Sequence, residues 1–182
     1  MKIQTYMRAV HFSRSGKELP GRWKKTNSLV DAFLILIYTH MIQGACNIKD
    51  TGGVVRVTSY LASDFQIIYS TATTAGLVVG SGTTPVDLLD YKLQTQITTN
   101  LTHDYNIRAY NYPAANIAEI EIKRNFTNTS GSTIAIHEAA IYGLVNTVTF
   151  GQTQCCFDRT LFEASILAGH TVRFEWRLRI TV

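Results

Sequence analysis

The chain reads as a mainly β protein, an antiparallel β-sandwich of jelly-roll-like kind with one buried α-helix near residues 28–43. Residues 172–182 alternate almost without fault: Val172, Phe174, Trp176, Leu178, Ile180 and Val182 share one face, and Arg173, Glu175, Arg177, Arg179 and Thr181 share the other. Strand side chains change face at every residue, so this is one long strand with an apolar face on a core and a charged face in water. Shorter segments of similar character recur at roughly ten-residue spacing between turn residues, the spacing of sandwiches and jelly rolls. One stretch only, Leu29 to Ile42, has helical length and helical flanks.

In chain order, Ile3 to Phe12 is expected as the first strand, with Ser13-Arg14-Ser15-Gly16 and Pro20-Gly21 supplying turns after it. Thr26, Asn27 or Ser28 can cap the helix, Asp31 suits its first turn, and Gly44 can stop it. Asp50-Thr51-Gly52-Gly53 is a tight turn into Val54-Val55-Arg56-Val57, and Gln66 to Tyr69 and Gly76 to Val79 are short strands. The aromatic stretch Tyr105 to Tyr112 is broken by Pro113. Ala118 to Phe126 alternates with Ile120 and Ile122 inward and Glu119, Glu121 and Lys123 outward. After the turn at Asn128 to Ser132, Thr133 to Tyr142 alternates again, and the two segments read as a hairpin. Phe162 to Ile166 then precedes the Ala168-Gly169-His170 turn and the last strand.

The 182 residues suit a single domain, a basic strand or arm over 1–25 followed by a sandwich with its helix over 26–182. Charged residues are 16% and hydrophobic residues 46%, with nine Tyr and eight Phe, so part of the surface is expected to be covered by subunit partners. The helix sharpens that expectation. It is apolar nearly all round, so it must be buried on more than one side. One side is its own sheet; the other is most simply a neighbouring subunit, the alternative being burial within the monomer. At 14 residues it spans about 21 Å and carries Asp31 and His40, which argues against a membrane span.

Residues 1–25 hold seven cations against Glu18, a net +6 that leaves −2 for the remainder. Such a segment is usually solvated, and nucleic acid is not the expected partner. Cys46, Cys155 and Cys156 are odd in number and two are adjacent, so reduced, buried thiols are expected rather than a disulfide framework. Met1 to Val10 builds no apolar signal region, which implies synthesis in a cytoplasm.

Gly80-Ser81-Gly82 follows a strand but lacks a third glycine and a Gly-Lys-Ser/Thr ending, and Pro85 opposes the helix a phosphate loop needs, so glycines at positive φ in a turn are expected instead. His11, His40, His103, His137 and His170 show no metal-binding spacing, and His137 and Glu138 face opposite ways unless a bulge intervenes. A Cys155 or Cys156 nucleophile with His170 has no supporting motif. Asp87 and Asp90 suit a surface turn better than acid–base work. No catalytic residue, cofactor or metal is assigned. Arg22, Trp23, Lys24 and Lys25 on the basic segment, and Phe33, Leu34, Ile37 and Tyr38 on the helix, are the candidate interface residues.

Four segments together resemble a known family. Asn27-Ser28-Leu29-Val30-Asp31-Ala32-Phe33 resembles an N-S-F-V-R-x-F helix start, and Lys49-Asp50-Thr51-Gly52-Gly53-Val54-Val55-Arg56 a D-T-G-G-x-V-R turn. Leu77 to Val86 with Asp90-Tyr91-Lys92-Leu93 resembles I-V-V-G-T-G-x-T followed by D-Y-x-L, and Phe126 to Ile134 with Glu138 to Gly143 resembles F-x-N-x-[ST]-G-x-x-I with E-x-G-[IL]-Y. The closing segments Cys156 to Thr160 and Leu167 to Val172 fit the same pattern. Ala140 stands where the pattern has glycine, and Cys155-Cys156 replaces small apolar residues. The blocks are similar to those of virion structural proteins of tailed bacteriophages. The resemblance implies a non-enzymatic subunit of a phage tail, neck or capsid surface, located in the virion, whose partners are copies of itself and other virion proteins. The alternative is a receptor- or glycan-binding sandwich at a tail tip, using exposed tyrosines such as Tyr110 and Tyr112.

Overall fold

The computed structural model describes residues 2–13, 15–26, 28–59, 65–67, 70–149 and 151–182. In chain order its elements are β1 (Lys2–Phe12), β2 (Glu18–Pro20), β3 (Lys24–Lys25), α1 (Asp31–Ile42), β4 (Asn47–Lys49), β5 (Val55–Val57), β6 (Phe65–Gln66), β7 (Gly76–Gly80), β8 (Leu101–His103), β9 (Ile107–Ala114), β10 (Ile117–Asn128), β11 (Ile134–Thr147), β12 (Gly151–Ile166) and β13 (Thr171–Thr181). The fold is mainly β, antiparallel and sandwich-like, as the alternation implied. Among the described residues the large sheet runs β2-β1-β13-β10-β8, with β3 added to β1 and β9 to β10. The small sheet runs β12-β11-β6 with β7 also on β11, and β4 and β5 form a separate hairpin.

These elements stack in three layers around two cores. Between the sheets, Met7, Ile122, Phe126, Phe174 and Trp176 of the large sheet meet Leu77, Val79, Ile136, Ile141 and Phe162 of the small one. On the other face of the small sheet, Val78, Tyr142 and Phe157 meet Ala32 and Leu36 of α1 and Ile48 of β4. Strand β11 serves both cores, with Ala139 and Ile141 toward one and Ala140 and Tyr142 toward the other, which explains why it is buried along most of its length.

Strands β10 and β11 are not a hairpin. β10 pairs with β13 in the large sheet and β11 with β12 in the small one, so the turn at 128–132 carries the chain between sheets. Asn128 makes that corner: its amide donates to the Ser132 and Ile166 carbonyls at 2.7 and 2.8 Å, and its Oδ1 accepts from Ser130 N at 2.8 Å. Its main-chain N–H bonds the His170 carbonyl, which sets the two sheet-to-sheet connections side by side. Local turn chemistry says that a chain reverses, not which sheet it joins.

Other expectations shift by a few residues. The helix begins at Asp31 with Val30 as N-cap and no side-chain cap, because Ser28 instead donates to Asp158 Oδ1 at 2.9 Å. Its left-handed C-cap is Gln43, not Gly44. Pro113 does not break β9, which runs through it as an edge strand, where a missing N–H costs no ladder bond. Ile120 shares the core face but is exposed, because the large sheet runs on past the inter-sheet core. The strand expected over 66–69 is seen as β6 at 65–66; residues 68 and 69 lie outside the described residues.

The charged face of β13 is not wet. Glu175 is 0% exposed, held by Arg8 at 2.7 Å and Arg173 at 2.8 Å, while Glu119 and Glu121 are buried beneath Arg177, Arg179 and Lys123. Arg173 also grips Glu18 through two hydrogen bonds of 2.7 and 2.8 Å. Neighbouring strands place opposite charges across from each other, so the polar face forms a closed ladder of ion pairs that shields its own carboxylates.

Candidate interaction surface

Segment 28–31 fixes α1. Val30 N bonds the Phe157 carbonyl, Arg159 N bonds the Ser28 carbonyl, and Asp31 N bonds the Leu88 carbonyl. Ala32, Leu36 and Thr39 follow at i, i+4 and i+7 and form the buried stripe. Thr39 Oγ1 donates to the Ile35 carbonyl at 2.8 Å, so its hydroxyl is satisfied inside the contact.

The remaining helix surface is apolar and open. Leu34 is 54% exposed, Tyr38 56% and Met41 78%, with Ile37 and Ile42 also exposed. Phe33 is half-buried and packs against both cores. Phe33, Leu36, Ile37, His40 and Met41 line a groove of about 450 Å³. His40 is its one polar side chain, and Nδ1 lies 2.9 Å from the Leu36 carbonyl. Burial of the helix within the monomer is therefore one-sided, and four candidate residues, Phe33, Leu34, Ile37 and Tyr38, fall on one element.

The other four lie elsewhere. Lys24 and Lys25 are exposed in β3 on the edge of β1, and Arg22 is exposed before them. Trp23 turns back onto the large sheet and stacks against the guanidinium groups of Arg177 at 4.0 Å and Arg8 at 4.4 Å. The basic segment is thus built into the sheet, with β1 paired to β13 from Lys2 to His11. Lys24 and Lys25 also border a cleft of about 370 Å³ with Leu29, Leu88 and Asp87.

Sequence reasoning missed the polar groups that hold this surface in place. Glu138, wholly buried, accepts from Gly82 N, Thr95 N, Gln94 N and Arg159 Nε at 3.1, 2.7, 3.0 and 2.9 Å. Arg159 continues to Asp90 Oδ2 at 2.7 Å and the Thr84 carbonyl at 2.9 Å. Burial works against the Arg159 cation, but Asp90 and Glu138 outweigh it and hold its pKa above the ordinary value. Gly80 and Gly82 are not at positive φ; a Cβ at either would lie 2.6 or 2.5 Å from Glu138 Oε1. The Gly-Ser-Gly turn therefore exists to admit a carboxylate of the protein itself. Asp87 and Asp90 close a turn, with Asp87 N bonded to Asp90 Oδ2 and Leu89 N to Asp87 Oδ1, both at 2.8 Å.

The titratable groups follow their surroundings. Cys155 and Cys156 are buried on the helix side of the small sheet; burial pushes the Cys155 thiol up to about 12 and Cys156 well above its usual value. His170 is exposed beyond Ile166, at the far end of β12, roughly 30 Å of extended chain away. A β-bulge does fall between Ile136 and Glu138. Burial beside Arg124 lowers His103, packed edge-on against Phe126, to about 4.

Asp158 gives a pH prediction. Burial raises its carboxyl to about 6. A carboxyl bound more tightly to its proton in the folded state adds stability that is complete below pH 4 and lost as pH rises to 6. That loss amounts to about 3 kcal/mol. Asp158→Asn, neutral throughout, is expected to gain on the wild type by about this amount between pH 4 and 6 and to run parallel above it. Urea unfolding across that range measures it; a constant difference would refute it.

Among the described residues no helix is long and apolar enough to cross a membrane, and no three His, Cys, Asp or Glu side chains gather to hold a metal. The chain matches no family model, no curated protein and no solved structure.

Proposed function

We propose that this chain is a non-enzymatic structural subunit of a tailed-phage particle, a tail, neck or capsid-surface component held by contacts with copies of itself and with other virion proteins. One observation carries the reading: α1 buries one stripe and leaves Leu34, Ile37, Tyr38, Met41 and Ile42 exposed. Five large apolar side chains on one short helix make a patch of a few hundred Å², at the top of what monomers leave in water. Such a surface is covered in the working state by another protein.

The segments behind the phage resemblance support it from another direction. Asp50 accepts from Val54 N and Arg56 Nε at the D-T-G-G turn; Gly80 and Gly82 admit Glu138; Asn128 holds the sheet-to-sheet corner. They are the turns that shape the subunit, which is where a scaffold without an active site concentrates its specific residues.

Light scattering of the full chain over a wide concentration range is expected to show a defined assembly, and Leu34→Glu with Met41→Glu is expected to lower its mass by removing the α1 contact, with unchanged circular dichroism. A wild type that stays monomeric, or charged variants that assemble equally well, would overturn the assembly reading. Its absence from purified particles by mass spectrometry would overturn the virion assignment.

A further inference from the structure

We infer that the outer edge of β9 pairs antiparallel with β9 of a second copy, joining two large sheets into one. This contact is separate from the α1 surface.

A sheet edge presents a row of unpaired main-chain groups, and proteins shield such rows. Among the described residues the other edges of the large and small sheets are short, charged or partly covered. β2 and β3 are short and carry Glu18, Lys24 and Lys25. The second edge of β12 is met by Leu29, which bridges Asp158, by the Val30 N to Phe157 carbonyl bond, and by Thr51 N on the Gln154 carbonyl. β8 is three residues long. β9 differs: it runs for eight residues, pairs with β10 on one side, and is exposed almost throughout. Among the described residues no main-chain hydrogen bond reaches its other side. Arg108 is its one charge, and Pro113 blunts only its far end.

The side chains say what fits there. Register aligns Thr5, Leu178, Ile120 and Tyr110 across β1, β13, β10 and β9 on the core-facing side. Leu178 is buried, Ile120 is exposed, and Tyr110 is 60% exposed where the row runs off the sheet. Pairing centred on Tyr110 sets that residue against its own mate and continues the row into the second copy. The same register places Ala109 opposite Asn111, sets Arg108, whose guanidinium donates to the Ile67 carbonyl at 2.9 Å, opposite Tyr112, and brings no like charges together. Tyr112, 73% exposed, already packs edge-to-face on Tyr110 at 4.9 Å between centroids. Self-complementary pairing about a two-fold axis is the isologous contact of a symmetric dimer, and here both halves of it come from one strand.

The test uses the full chain with Tyr110→Lys and Tyr110→Glu, each alone and mixed. Alone, each is expected to weaken self-association at least tenfold, because like charges meet across the two-fold; mixed, they are expected to recover the wild-type mass. Amide exchange over residues 107–112 is expected to slow at least tenfold between dilute and concentrated wild type, and not in Tyr110→Lys. Unchanged assembly of both single variants, or a mixture that fails to recover, would overturn the β9 contact. If the Leu34→Glu, Met41→Glu protein alone loses assembly, the α1 reading stands and this one falls. A wild type monomeric at every concentration would sink both, and protection of 107–112 arising only with other purified particle proteins would replace the second copy by a partner strand.

Discussion

Arg124→Met is expected to lower the thermal midpoint by about 10 °C or more, because about 4 kcal/mol of stability corresponds to such a shift in a domain of this size. Arg124 is wholly buried, and among the described residues no carboxylate lies in hydrogen-bond contact with it. Its guanidinium instead donates to five main-chain carbonyls: Asp104 at 2.8 Å, Ala75 at 2.7 Å, Leu77 at 3.0 Å, Ser70 at 3.1 Å and Ala72 at 2.8 Å. Burial pushes it down to about 10, so it remains a cation at neutral pH. Methionine fills the volume and donates nothing, leaving buried acceptors that each cost about 1–3 kcal/mol if dry. Solvent entry recovers part of that sum. Arg124→Lys is expected to fall between the two, since one ammonium has three donors and no fork. Because four of the five carbonyls lie between residues 70 and 77, amide exchange there should accelerate more than in β13. A midpoint within 3 °C of the wild type would show that these hydrogen bonds stabilise little.

Arg124 also marks how far the sequence could be read. Its strand alternates Ile120, Ile122, Arg124, Phe126, so a cation stands where an apolar residue is due, and that break was visible. What it contacts was not, since its partners lie some 20 to 54 residues away. β1, β7, β13 and the helix were legible because period and flanking turns are local properties. The pairing of β10 with β13 and of β11 with β12, the shielding of Glu175 and the purpose of Gly80 and Gly82 depend on strands brought together only by the fold. Periodicity says that a face is polar; whether it is wet depends on opposing charge across the ladder. The apolar character of α1 was legible for the opposite reason: a helix without a polar face is surplus to any single contact, and the structure leaves that surplus on the outside.

Breaking the Glu138–Arg159 pair is the other large effect expected. Removing one member of a buried ion pair costs about 3–5 kcal/mol, because the charge left behind has neither water nor partner. Arg159→Met strands Glu138 with three main-chain N–H donors and releases the Thr84 carbonyl and Asp90. Glu138→Gln keeps the shape but turns an amide NH₂ toward donors, since both carboxylate oxygens accept in the native state. The two side chains satisfy each other, so the double variant should cost less than the sum of the singles by about 2 kcal/mol, within the range measured for groups in one network. Gly82→Ala should mimic Glu138→Gln from the other side, because its Cβ would occupy the space of the carboxylate. Urea unfolding of the four proteins in the cycle decides the matter: strict additivity would mean that loop 81–96 is positioned by packing and not by this carboxylate. The same loop supplies Leu88, whose carbonyl receives the first N–H of α1, so a genuine coupling should also loosen the helix and weaken assembly through its apolar face.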